Sequence, residues 1–256
     1  MTPLRLALLC AAATFALAAC TPAGTRSAPI TDGEALLRAM HDRYAGKWYN
    51  TLAFTQKTTR RLPNDSIRID TWTEYGAMPG RLRIEFGARE AGNGAIYAND
   101  SVYAIRGGRV AARRAERNSL MVLGFDIYAQ PVARSAQILR EEGFPLNPVR
   151  METYQGRPTY VVGGAPGDLR SRQFWVDAER LVYVRSFEPF QGDTTKALEV
   201  RFDGYQPFGG GWVSTVVDIL VDGRSIQKEE YSDVRVNLPL DPALWIPERW
   251  TDAPHP

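Results

Sequence analysis

The chain has 256 residues, with 31 Lys and Arg against 29 Asp and Glu, 11% aromatic residues and 2 cysteines. A balance this close to neutral gives no support for a nucleic-acid partner or for polybasic attachment to a membrane surface. The length is enough for a substantial core, and all-β sheets and barrels of this size commonly form one domain.

Residues 1–19 read as a secretory signal. MTPLR supplies a short positive region, LALLCAAATFAL (6–17) an apolar core of 12 residues, and Ala18-Ala19 the small residues before a cut. That core is too short to cross a hydrocarbon layer of roughly 30 Å as a helix. Leu17-Ala18-Ala19-Cys20 resembles the bacterial lipobox, in which the cysteine is acylated on sulfur and becomes the mature N-terminus. Cys10 fits less well, because Leu9 before it is not small and the apolar run continues beyond it. The alternative is an ordinary signal peptide with a coincidental cysteine at position 20.

A cut before Cys20 leaves 237 residues (256 − 19) with no possible internal disulfide, so the core alone must stabilise the fold. Acyl chains on Cys20 would then anchor the protein. At roughly 0.8 kcal/mol per buried CH₂, one chain holds marginally and two or three hold essentially permanently. The following TPAGTRSAPITDG, completing segment 20–33, reads as a flexible tether of about 20 Å. The folded part is expected over 34–256.

Thr31 and Glu34 match a capping box, and Leu37, Met40, Tyr44 and Trp48 recur at helical spacing, predicting a helix over 34–48. From Tyr49 the period changes to two. RLRIEF (81–86) places Leu82, Ile84 and Phe86 on one face and Arg81, Arg83 and Glu85 on the other, wet face. Turn signals at 79–80, 99–100, 107–108, 177–179, 209–211 and 222–223 separate β-rich runs. Tight turns imply antiparallel neighbours. The prediction is therefore a mainly β fold with helices: a single curved antiparallel sheet, or incomplete β-barrel, of about nine to eleven strands.

The meander is broken once, by SLMVLGFDIYA (119–129) and QPVARSAQILREEG (130–143). Pro131 suits a first helical turn and Gly143 a stop. These pieces supply apolar cover for one face of the sheet, either as a core plug or as a movable lid. The lid residues would be Leu120, Met121, Leu123, Phe125 and Tyr128. On strand phase, Phe54, Leu82, Ile84, Phe86 and Phe174 are the candidates for an apolar lining.

Chemistry is sparse. The two histidines, His41 and His255, are poorly placed for a metal cluster, and no G-x-S-x-G elbow, P-loop or G-x-G-x-x-G is present. GNGAIY (92–97) leads into a strand-like run and reads as a turn. Glu141-Glu142 and Glu229-Glu230 read as solvated faces, with a hidden acidic pair the alternative. RVAARRAER (109–117) reads as a solvated edge strand, with contact to lipid phosphates the alternative. No catalytic residue, metal or cofactor is expected, and the chain is not read as an enzyme.

The signal, the helix leading into LAFTQKTTRR (52–61), the meander with central helices, and the closing YSDVRVNLPLDPALWIP (231–247) together resemble the bacterial LolA/LolB-like family. That family comprises outer-membrane lipoprotein-sorting proteins and their relatives, and the likeness spans 34–247. It implies an incomplete antiparallel barrel closed by helices over an apolar cavity that holds acyl chains. The lipobox sets this chain apart from the family's soluble carrier and matches its membrane-anchored receptor, although the chain is longer than either. Thr21 stands where, in enteric relatives, an Asp favours inner-membrane retention, which points to the outer membrane facing the periplasm. The resemblance implies a lipid, an acyl chain or a lipoprotein's lipid moiety as partner. A structural lipoprotein with a filled interior and an envelope-stress regulator remain as other readings.

Overall fold

The computed structural model describes residues 29–256. The signal, Cys20 and the tether as far as residue 28 lie outside the described residues.

Asp32, rather than Thr31, caps the first helix. Its carboxylate accepts from the Ala35 N–H at 2.8 Å, and α1 (Gly33–Tyr44) buries Leu36, Leu37, Met40 and Tyr44. No capping box forms, because Glu34 turns outward to pair with Arg140. The helix also ends earlier than expected, and Trp48 stacks on Tyr49 in the segment after it.

Six strands follow: β1 (Thr51–Arg61), β2 (Ile67–Ala77), β3 (Arg81–Phe86), β4 (Gly94–Ala98), β5 (Ser101–Arg106) and β6 (Arg109–Ala115). Each pairs antiparallel with its sequence neighbour. α2 (Ser119–Gly124), a 3₁₀ turn at Asp126–Tyr128 and α3 (Val132–Glu141) then interrupt the sheet. A second run comprises β7 (Val149–Tyr154), β8 (Arg157–Gly163), β9 (Gln173–Asp177), β10 (Tyr183–Pro189) and β11 (Ala197–Asp203). After a separate small hairpin of β12 (Gln206–Phe208) and β13 (Gly211–Val213), β14 (Val216–Val221) and β15 (Arg224–Val236) complete the sheet.

The sheet has 13 strands in the order β6-β5-β4-β3-β2-β1-β15-β14-β11-β10-β9-β8-β7. It is two meanders joined where β1 pairs with β15, and the α2–α3 segment links its two edges, β6 and β7. The strand number exceeds nine to eleven because some turns carry little sequence signal. Between β7 and β8, Gln155 and Gly156 take φ +50° and +75°, the positive pair that a tight hairpin needs, without an Asn-Gly or Asp-Gly dipeptide to announce it.

The sheet curls. Seven adjacent strands, β4 through β11, contribute side chains to one cavity. Laid flat, the outer two would stand roughly 29 Å apart at about 4.8 Å per strand. Register shifts in the β1–β15 and β14–β15 pairs help to bend it.

The other face is not simply wet. After β15, two 3₁₀ turns (Pro242–Trp245 and Pro247–Arg249) carry the C-terminus across it. Leu244 and Trp245 pack on Ala53, Tyr75 and Ala77, and Trp250 packs on Ile96 and Ile105. Gly94 allows the contact, since a Cβ there would fall 2.4 Å from the Trp250 ring. This corrects the expectation for Arg83 and Glu85, which are buried under the tail. Arg83 Nε donates to Glu85 at 2.8 Å, Nη2 donates to the Trp250 carbonyl at 2.8 Å, and its guanidinium lies 3.8 Å from the Trp250 ring centroid. His255 Nε2 stands 2.6 Å from the same Glu85 carboxylate.

Candidate functional site

Strand phase selects the residues that face the concave side. On β1 these include Leu52 and Phe54, on β2 Trp72, Glu74 and Gly76, and on β3 Leu82, Ile84 and Phe86. Register brings them together: Phe54 lies opposite Glu74, Glu74 opposite Ile84, and Trp72 opposite Phe86. Two aromatic pairs fix the walls, Phe54 on Tyr231 with centroids 4.0 Å apart and Trp72 on Phe86 at 4.6 Å.

α2 closes this space from above. Asn118 caps it, its side chain accepting from the Leu120 and Met121 N–H groups at 3.0 and 3.4 Å. Leu120, Met121 and Phe125 face the cavity, whose volume is about 290 Å³. Leu123 and Tyr128 point elsewhere and anchor the cover. Leu123 is fully buried in the core, while Tyr128 stacks on Trp48 at 3.9 Å and its hydroxyl accepts from the Tyr183 N–H at 3.2 Å. Gly124 lets α2 approach the sheet, because a Cβ there would meet the Phe202 ring at 2.8 Å.

Of the lining candidates, Phe54, Leu82, Ile84 and Phe86 share this cavity. Phe174 does not. It lies on β9, fully buried, with its ring edge-on to Phe144 at 6.3 Å. Strand phase places a residue on a face but does not say which part of a long curled face is filled, so Phe174 shares a phase with the others and not a cavity.

A second, polar-walled cavity of about 410 Å³ adjoins the first, sharing Tyr97, Asn118 and Met121. Arg117 and Arg134 reach its Asp100 at 2.8 and 3.1 Å. Asp126 is buried in its wall and accepts from the Gly80 N–H at 3.0 Å, tying the covering segment to the β2–β3 turn. Burial pushes the Asp126 carboxyl up to about 7, against the lowering effect of that hydrogen bond.

Two acidic residues belong to the apolar cavity. Glu229 does not lie on a solvated face: it is buried, whereas neighbouring Glu230 is half-exposed and pairs with Lys57 at 3.0 Å. Glu74 was not singled out by the sequence. Its phase with Trp72 on a strand was the available signal.

No protein-family model and no curated protein sequence matches the chain. Solved structures do. A DUF1329 family protein from Desulfovibrio piger is 15% identical with TM-score 0.55, the match covering 83% of this chain and 95% of that one. A domain described as an outer membrane lipoprotein-sorting protein, from Vibrio parahaemolyticus, is 11% identical with TM-score 0.50, covering 85% and 97%. The chain shares its fold with these two structures. A LolA superfamily protein from Nitrosomonas europaea is similar at 13% identity and TM-score 0.49, covering 79% and 94%. At these identities the likeness is one of fold. In this chain the covered concavity of that fold is the apolar cavity under α2.

Proposed function

We propose that this chain is a bacterial lipoprotein that holds a hydrophobic chain in the cavity under α2 without catalysing a reaction. In this reading acyl chains on Cys20 anchor it to the outer membrane, and a single domain, 34–256, faces the periplasm on the tether. The observation that carries the reading is the cavity itself, where Phe54, Leu82, Ile84 and Phe86 of the sheet face Leu120, Met121 and Phe125 of the cover. Its volume stands at the lower end of ligand pockets, which run roughly 300–1,000 Å³, and suits one acyl chain rather than several. Burying ten methylenes is worth about 8 kcal/mol gross, before the cost of ordering the chain. Useful affinity then needs no directional chemistry. A lipid, or the lipid moiety of another lipoprotein, is the ligand class that fits, and the lipoprotein-sorting fold supports this reading.

The test is uptake of a fluorescent fatty acid by the full chain. Wild type is expected to bind, and Ile84→Asp or Phe86→Asp to abolish binding while circular dichroism shows the fold retained. A wild-type protein that takes up neither the fatty acid nor a long-chain alcohol or amine sinks the reading in favour of a structural lipoprotein. For the anchor, intact-mass analysis of membrane-extracted protein should show a diacylglyceryl group on Cys20 and loss of residues 1–19. Cys20→Ser should release the protein from the membrane.

A further inference from the structure

The apolar cavity has two acidic side chains in its wall. On β2 the inward run is Trp72, Glu74, Gly76, and on β15 it is Gln227, Glu229, Tyr231. Both acids are withdrawn from solvent, Glu74 at 6% and Glu229 at 8% exposure. Glu229 is held by the Gln227 amide, which donates at 2.6 Å, and by the Tyr231 hydroxyl, which donates at 2.9 Å. Glu74 lines the cavity and accepts no hydrogen bond from any described residue. Gln56, fully buried beside Glu229, donates its Nε2 to Thr58 and leaves its Oε1 without a partner. Among the described residues no Lys, Arg or His lines this cavity.

Buried polar groups in folded proteins are almost always satisfied, and each exception calls for a cause. Here the unmet atom is the Gln56 Oε1, and the two carboxyl groups in the cavity wall have no basic side chain beside them. What is missing is a donor, preferably a cation. Burial first, and the neighbouring Glu229 second, hold the Glu74 carboxyl well above the usual range. Burial also raises Glu229, opposed by Gln227, Tyr231 and Gln56. The other ionisable groups facing them are the phenols of Tyr97 on β4 and Tyr231 on β15, both raised by burial. Phe54, Tyr231, Trp72 and Phe86 line the same cavity, and aromatic rings attract an ammonium ion.

We propose that Glu74 and Glu229 form a head-group site for a single-chain amine, whose ammonium lies between the two carboxylates while its alkyl chain lies along Leu82, Ile84, Phe86 and Leu120. In the complex the two acidic side chains share one cation. The proposal rests on the hydrophobic-chain reading of the same cavity and adds the chemistry of the head group.

Calorimetric titration of the full chain with dodecylamine, dodecanol and dodecanoate, each below its micelle concentration, tests it. Wild type should bind the amine about tenfold more tightly than the alcohol, with the carboxylate weakest. Glu74→Gln keeps shape and removes charge. It should bring the ratio of amine to alcohol affinity from about ten to about one, and Glu229→Gln should shift that ratio in the same direction. Thermal unfolding of each variant checks the fold, and the wild-type ranking stands as a readout if a variant fails to fold. Equal binding of all three compounds by wild type, or an unchanged preference in Glu74→Gln, overturns the head-group site and leaves the hydrophobic cavity standing. Binding of none of the three overturns both.

Discussion

The two meanders are built from the same kind of strand, yet one interior is filled and the other is open. In the β7–β11 half, Phe174, Val176, Val182 and Val184 pack into the main core with Ile138, Leu139 and Phe144 of the α3 segment. α1 fastens to this half as well, with the Tyr44 hydroxyl donating to the Arg180 carbonyl. In the β1–β6 half the corresponding face carries Phe54, Leu82, Ile84 and Phe86, and opposite them lies only α2, 6 residues long. A helix of that length reaches about 9 Å. It spans the concavity without filling it. The cavity is thus where cover runs short, which explains why it lies beside β3 and not beside β9.

That contrast is broken most directly by truncating one ring on each side. Phe174→Ala, in the filled half, should lower the unfolding free energy by about 3–5 kcal/mol, since nothing can collapse into the gap. Phe86→Ala, whose ring already borders empty space and is half-buried, should cost only about 1 kcal/mol. Urea unfolding of both variants decides it. Equal losses would mean that the two halves are packed alike and that the open half is no site.

The next effect comes from the fastening of the cover. Asp126 titrates near 7 in the folded protein against an ordinary value of 3.8. Below 3.8 both states hold the proton, and between 3.8 and about 7 only the folded state does. Stability from this group is therefore complete below the lower value and is lost as pH rises through the upper one. From pH 5 to pH 8 the loss should be about 3 kcal/mol at roughly 1.4 kcal/mol per unit. The buried Glu74 and Glu229 and the half-buried Glu188 push in the same direction, so the difference between wild type and a variant is what isolates Asp126. Asp126→Asn keeps an acceptor for the Gly80 N–H and cannot ionise, so its unfolding free energy should fall less over that range. Identical slopes would show that Asp126 is not the group that titrates.

How far the sequence foretold all this depended on the range of each interaction. Local period exposed the inward residues of β3, and the apolar run at 119–129 exposed the cover, because both are properties of a few consecutive residues. The same period misplaced Arg83 and Glu85. Alternation put them outward, which is correct, but the tail that covers them comes from Trp250 and His255, more than 160 residues away. Phe174 failed for a related reason, since filling of its half depends on Phe144 and α3. Glu74 was legible in principle. A charge in phase with Trp72 on a two-residue period is a local signal, and only its lack of a partner required the fold.

The smallest effect is expected at the edges, where the halves differ again. β7 spends its arginine internally, with Arg150 donating to the Gly163 and Gly164 carbonyls at 2.8 and 2.7 Å. β6 is exposed along its whole length, and Arg109, Arg113 and Arg114 project from it. Their pairing is slight: Arg114 meets Glu116 at 2.9 Å on the surface, and Arg113 lies 5.4 Å from the Tyr103 ring. Exposed pairs of this kind are worth at most about 1 kcal/mol. Replacing all three arginines with Thr preserves strand propensity, and should change the unfolding free energy by no more than about 1 kcal/mol. Charge on an open edge chiefly prevents another strand from adding to it. Sedimentation velocity should therefore show concentration-dependent association of the Thr variant where wild type shows none. If the variant sediments like wild type, edge protection is not what these arginines provide, and vesicle binding with anionic lipid becomes the measurement that assigns them.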